Sequence, residues 1–515
     1  MQSSKMGGLP GDNSMKYLIA IGVVILLCCL AFGQQAAKYG GTIKIGLLAD
    51  IATLYPWKMT DVETFSVMQG AYEPLIRLKK ASADIEPCLA VKWIPSSDYL
   101  MWTFNLRKNV KFHDGTPFTA DSVIETFAQH TVFPGKIKKI DDYTIVFNLD
   151  KPDAAFALSL SVENYGIVGT QAIKCFKEKC AKPPVIGTGP FIFERWIPGK
   201  EIAFRANENY WGGKPYLNQV IFIPFPNNTE LMQALKNQTI HLTSAILPDN
   251  ITAIRDIPYL IFQARPALSL GYVGMNSQKP PFNNSKVRIA ISYAINRKEW
   301  VAKYFLNGQA GIIAKSCLPP TMFGYNKDLP EREYNPAKAK ALLKEAGFPD
   351  GFETTLLLPY SARLYLPYPV QMGEDVKNNL AAIGIRVRIL PIPGREEFRK
   401  ATTEGKFDML LFGWVADTID PNDFLTALLS TQSIGTTNRV RWSNDYFDRF
   451  LQNARSENIS ARVETYKKAQ EVFYKEMPLV PLVNALQLSA WNQKVKGYTL
   501  HTTSRLYLHD VWLSE

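Results

Sequence analysis

The sequence predicts an α/β protein of two or three domains, and three observations carry that expectation. The 515 residues exceed what one hydrophobic core supports. The stretch Gly187 to Pro224, GTGPFIFERWIPGKEIAFRANENYWGGKPYLNQVIFIP, reads as turn, strand, turn and strand. Within it Phe191, Phe193 and Arg195 alternate with Ile192 and Glu194, Pro198-Gly199 turns the chain, and Ile202, Phe204 and Ala206 return it. The stretch from Tyr334, YNPAKAKALLKEAGFP, is a helix with both ends written: Asn335 caps it, Pro336 opens it, and Gly347 and Pro349 follow its end.

Composition narrows the class. The shares of 46% hydrophobic and 20% charged residues are those of a globular chain, not a disordered one. Net charge is +11, yet Lys and Arg are interspersed with Asp and Glu. No basic run approaches a nucleic-acid footprint, so the surface is read as mixed and solvated; a monomer that binds no nucleic acid is expected.

In chain order, Lys16 precedes an apolar run from Tyr17 to Phe32, and Ala31 and Gly33 are small residues before Gln34. This is the pattern of a cleaved signal peptide over an upstream extension, with residues 1–33 removed and Met15 as the natural start. Leu26 and Leu27 stand where a lipoprotein cut would need small residues, so lipidation is not expected. Of the cysteines outside the leader, Cys175 and Cys180 lie five apart and suit a small disulfide in an oxidising compartment.

GGTIKIGL from Gly40 is a strand, and Val67 to Leu75 is read as a short helix. Trp93, Tyr99, Trp102 and Phe104 are placed on strands. His113-Asp114-Gly115 makes a turn in which both polar side chains serve the backbone, not catalysis. Thr119 caps a helix from Ala120 to Gln129, and Asp141 to Leu149 is a strand. A helix over Thr229 to Lys236 leads into short strands up to Phe262. Then come a strand over Leu268 to Met275 and a helix from about Lys286. Beyond the Pro336 helix, the pattern gives a helix over Glu374 to Ile383 and strands over Arg386 to Leu390 and Phe407 to Trp414. Helices near 445–453 and 461–476 follow, then a strand over Leu479 to Leu482.

Catalytic signatures are lacking: no GxSxG, no P-loop, no GxGxxG after a strand and no HExxH. His501 and His509 are read as surface residues. Asp417 and Asp420, after a strand ending GWVA, and Arg363, in the aromatic loop PYSARLYLPYP, are the charges that stand out.

The GTGPF…W…YWGGKP stretch resembles the signature of the bacterial extracellular solute-binding proteins that carry peptides and nickel to ABC importers. So do LAVKW, LRKNVKFHDGTPFTA, NSQKPPFNNSKVRIAISYAINR and the Pro336 helix. The resemblance runs from about Gly40 to Leu486 and is strongest to the dipeptide-binding branch. It implies a two-lobed α/β periplasmic binding protein, type II and cluster C, with an extra subdomain and a hinge of crossing strands. Lobe one would combine 40–72, 186–267 and 488–515, with the extra subdomain at 73–185 and lobe two at 268–487. The hinge strands would lie near 265–275 and 484–491.

The implied function is capture of short peptides, dipeptides above all, and delivery to permease and ATPase subunits, with no cofactor and no enzymatic step. Asp417 would grip the ligand's α-amino group and Arg363 its carboxylate, since a guanidinium fork holds a carboxylate through two parallel bonds. Gly413, Trp414, Tyr365 and Thr60 complete the implied ligand-binding set. Thr418-Ile419 departs from the smaller, glycine-containing turn of the dipeptide pattern. The alternatives are a nickel, metal-chelate or other small-solute carrier of the same fold and a peptide-sensing receptor. A secreted hydrolase would need a nucleophile–base pair that the sequence does not offer.

Overall fold

The computed structural model describes residues 37–515 apart from 60, 81, 83, 132, 134, 182, 183 and 504. The expected leader therefore lies outside the described residues, and so does Thr60. Among the described residues no helix is long and apolar enough to cross a membrane.

The chain opens with strand β1 (Thr42–Leu47) and a helix over Val62–Met68. A separate antiparallel sheet follows, made of β2 (Ala90–Pro95), β3 (Met101–Leu106), β4 (Gly135–Asp141) and β5 (Thr144–Leu149) in the order β2-β3-β5-β4. The chain then adds β6 (Phe191–Ile197), β7 (Glu201–Ala206), β8 (Gln219–Pro224), β9 (Leu242–Thr243) and β10 (Leu260–Pro266). Next come β11 (Ser269–Met275), β12 (Gly311–Ile313), β13 (Glu353–Pro359), β14 (Arg386–Ile392), β15 (Met409–Val415) and β16 (Leu479–Asn492).

These strands and β1 form a mixed sheet of 12, ordered β14-β13-β15-β11-β16-β9-β1-β8-β7-β6, with β10 and β12 also on β16. The single strand β16 serves both halves. Its first residues, Leu479 to Val483, pair with β11, and its last, Leu486 to Asn492, pair with β10. The chain thus passes between the halves at 267–268 and again at 484–485, the crossing expected of a two-lobed fold. Two cores underlie the sheet. One contains Phe104, Phe147, Phe222 and Trp491; the other contains Tyr272, Trp300, Phe424 and Phe473 and runs across the crossing to take in Leu231, Ile240, Ile251 and Leu260.

Several local expectations need correction. The first helix is Val62–Met68, not 67–75, because the Asp61 side chain accepts from Thr64 N at 2.9 Å and starts it early. Pro74 then disfavours helix at Glu73. Tyr99 is not on a strand; it has φ 57 in the turn between β2 and β3. The short-strand region before Phe262 also holds a helix, Asn250–Arg255.

The strand expected over Leu479–Leu482 runs 14 residues. Its polar members looked like an end but are buried and paired: Asn484 Nδ2 donates to Ser269 O at 2.8 Å, and Ser489 Oγ to Thr243 O at 3.0 Å. His501 is buried at 1% exposure, not on the surface. Its Nε2 lies 2.9 Å from Ser82 O, and burial holds its pKa down to about 4. The turn reading of His113 and Asp114 agrees with the contacts. His113 Nε2 lies 3.0 Å from Gly189 O, and Asp114 Oδ1 accepts from Thr116 N at 3.0 Å.

Candidate functional site

Strand β15 delivers Asp417 to the place where the halves meet. Its apolar run keeps it central in the sheet, paired with β11 in a register that sets Gly413 opposite Gly271. That glycine pair makes room for Tyr365. A Cβ on Gly413 would come within 2.4 Å of the Tyr365 ring and of Leu270 O, and one on Gly271 within 3.0 Å of Tyr365 O. Tyr365 is buried on this platform, edge-on to Phe412, and burial pushes its hydroxyl up to about 12. Gly413 and Tyr365 therefore act together in packing, fixing the Arg363 loop against the strand that carries Asp417.

Arg363 itself closes a tight bridge, its N donating to Leu366 O at 2.8 Å and Leu366 N returning to Arg363 O at 3.0 Å. Among the described residues its guanidinium makes no ion pair. It faces Glu63 electrostatically: burial raises the Glu63 carboxyl, and Arg395 and Arg363 oppose that rise.

After Val415 the chain leaves the sheet, and Asp423 organises the loop. Asp423 Oδ2 accepts from Asp417 N at 2.9 Å and Thr418 N at 3.0 Å, while Trp414 Nε1 donates to Oδ1 at 3.3 Å. Trp414 is thus half-buried and tied to the loop by its indole. With its backbone so fixed, the Asp417 carboxylate has no side-chain donor among the described residues. Burial and the neighbouring Asp423 push its pKa up to about 7, against the pull of Arg505. Burial likewise lifts Asp423 to about 6.

Arg505 cannot neutralise them. It is committed to Glu163 through Nε and Nη2, and gives Asp417 only a bond from Nη1 to its main-chain oxygen at 3.1 Å. Asp420, singled out in the sequence, is a structural residue: it is buried and ion-paired to Arg462 at 2.5 Å, with Tyr466 beside them.

Asp417 and Asp423 line a cavity of about 270 Å³ whose opposite wall is the segment from Asp153 to Tyr165. Ala154 N donates to Arg455 O at 2.8 Å across the same junction. The sequence reading missed Asp423, Asp153 and Asn164. The acidic spacing in ADTIDPND was the one local signal for Asp423; the other two come from a segment more than 250 positions away. The Cα atoms of Cys175 and Cys180 stand 5.2 Å apart, a separation that a disulfide spans.

Two lobes joined by crossing strands, with an acidic chamber where they meet, define a protein built to enclose a solute. Comparison with known proteins makes that class specific. The sequence profile of Bacterial extracellular solute-binding proteins, family 5 Middle, matches residues 84–436. Heme-binding protein A of Haemophilus influenzae is 32% identical over 464 residues, covering 84% of each chain. The Dipeptide-binding protein of Escherichia coli is 30% identical over 476 residues, covering 85% of this chain and 88% of its own. The solved structure of the periplasmic binding protein DppA from Helicobacter pylori, in complex with the peptide STSA, superposes with a TM-score of 0.82 at 30% identity. It covers 93% of this chain and 99% of that one. The chain belongs to family 5 of the bacterial extracellular solute-binding proteins.

Proposed function

We propose that the protein captures short peptides, dipeptides foremost, between its lobes and hands them to the permease of an ABC importer powered by separate ATPase subunits. The observation that carries this reading is the Asp417 carboxylate, part-buried at the lobe junction and without a side-chain donor among the described residues. A carboxylate partly withdrawn from water in that state favours a cation, and the α-ammonium of a peptide supplies one. Arg363, held by the Tyr365 anchor, receives the carboxylate end. The names of the Escherichia coli and Helicobacter pylori relatives support peptide as the ligand class.

The lobes in this reading are 40–72, 186–267 and 488–515 for the first, with 73–185 as the extra subdomain, and 268–487 for the second. The protein works as a periplasmic, unlipidated monomer after a cut near Gln34, and Cys175–Cys180 forms its disulfide.

Heme is the rival ligand, brought by the Haemophilus influenzae relative. None of the five histidines lines the cavity at Asp417, which favours peptide over an iron porphyrin there. Mass spectrometry of whatever co-purifies after mild denaturation decides between them. Recovered short peptides support the reading; bound heme, a nickel chelate or a sugar overturns it.

A further inference from the structure

The chamber beside Asp417 holds more negative charge than one ammonium can balance. Four carboxylates line it: Asp153, Asp417, Asp420 and Asp423. Asp420 is neutralised by Arg462 at 2.5 Å. Against the other three stands one lining cation, Arg455. Burial raises the Asp153 carboxyl, as it does those of Asp417 and Asp423, and a cation close to them would oppose that rise. A second, independent feature is Asn164. Its Oδ1 is buried on the same wall and accepts no hydrogen bond among the described residues, which is costly unless a donor arrives.

From this we infer that the chamber is a subsite for a basic side chain on the first residue of the peptide, as in lysine or ornithine. The inference rests on the reading that the α-ammonium sits at Asp417. Given that, only the first residue's side chain leaves the backbone next to the chamber. An ε-ammonium carries three donors and no acceptor, and the chamber offers the Asp153 and Asp423 carboxylates as acceptors, with Asn164 on the same wall. The Tyr165 ring and Val162 supply apolar wall for the methylene stem. A volume of about 270 Å³ accommodates such a stem with a few waters, one water occupying about 30 Å³ of liquid. Charge completes the match: two ammonium groups together with Arg455 equal the three carboxylates that have no ion-pair partner of their own among the described residues, Asp423 being held by neutral donors only. A metal ion fits less well, since among the described residues no three His, Cys, Asp or Glu side chains converge as a metal site.

Calorimetry on the mature protein at about pH 7.5 tests this, at which the α-amino group of a peptide is still largely protonated. The ligands are Lys-Ala, norleucine-Ala, Ala-Lys and Ala-norleucine. Lys-Ala should bind at least about tenfold more tightly than norleucine-Ala, the increment of one buried charge-assisted hydrogen bond. Ala-Lys should show no such advantage over Ala-norleucine. Asp153→Asn keeps the oxygen that accepts from Ala155 N at 2.9 Å and should shrink the Lys-to-norleucine ratio several-fold. The series on the unaltered protein stands even if that variant is unstable. Equal or weaker binding of Lys-Ala, with the neutral dipeptides still bound, overturns the subsite and leaves peptide capture intact. Failure of all four dipeptides overturns both. Calcium chloride binding in place of peptide, and weakened by Asp153→Asn, assigns the chamber to a metal and also overturns the inference.

Discussion

Two carboxylates in this molecule, one buried and one part-buried, have opposite surroundings. Glu73 is enclosed in the first lobe with both oxygens in use: Tyr210 donates to Oε1 at 2.6 Å, Trp211 to Oε2 at 2.7 Å and Thr188 to Oε2 at 2.8 Å. The Cys88 thiol adds a longer contact at 3.6 Å. Asp417 lies at the lobe junction, its backbone fixed by Asp423 and its carboxylate without a side-chain donor among the described residues. Burial raises the pKa of both. The environment of Glu73 is complete, so it ties segments of the fold together. That of Asp417 is incomplete among the described residues, and under the proposed function a cationic ligand completes it.

Removing each charge should separate these roles. Glu73→Ala orphans three donors, two of them buried, and should cost on the order of 3 kcal/mol of stability, read as a lower denaturation midpoint, with peptide affinity unchanged in the fraction that stays folded. A near-normal midpoint would put the cluster outside the folding core. Asp417→Ala should do the reverse. Peptide affinity should fall by about a hundredfold or more, the penalty of an unpaired buried ammonium, while the midpoint holds or rises. A large loss of stability in Asp417→Ala would make the two residues alike and erase the contrast.

Arg363→Ala sharpens the comparison at the other end of the ligand. It should weaken free-acid dipeptides about tenfold more than their C-terminal amides. Equal losses measured by calorimetry would take Arg363 out of the site.

A smaller effect concerns pH. The folded Asp417 pKa of about 7 lies above the ordinary value near 3.9. In the ligand-free protein its contribution to stability is therefore full below about pH 4 and is lost as pH rises through about 7. Binding an ammonium requires the ionised form, so peptide affinity should climb over the same window. Thermal melts with and without a dipeptide, taken across it, should diverge as pH increases. Parallel melts would contradict the raised carboxyl.

The scaffold around this contrast was legible from sequence where the signal is local. Asn335 and Pro336 begin a helix that runs Pro336–Glu345, as capping rules require. The apolar run ending in GWV is the central strand that presents Asp417. Polar residues that looked like breaks misled the reading of β16, because their partners, such as Ser269 for Asn484, lie 215 positions away. Glu73 escaped notice for the same reason, being 137 positions from Tyr210. The acidic chamber was equally hidden, since Asp153 and Asn164 stand more than 250 positions from Asp417 in the sequence and meet it only in the fold. What the sequence did show at the site was the pair of charges on loops. What it could not show is which carboxylates arrive there already satisfied.

The most direct test of that distinction changes the ligand and leaves the protein intact. Calorimetry would compare a free dipeptide with its N-acetylated form, on the unaltered protein and on Asp417→Asn. On the unaltered protein acetylation should cost about a hundredfold or more in affinity, and on Asp417→Asn it should cost little. Equal binding of the two ligands by the unaltered protein would contradict the claim that Asp417 awaits the peptide's ammonium.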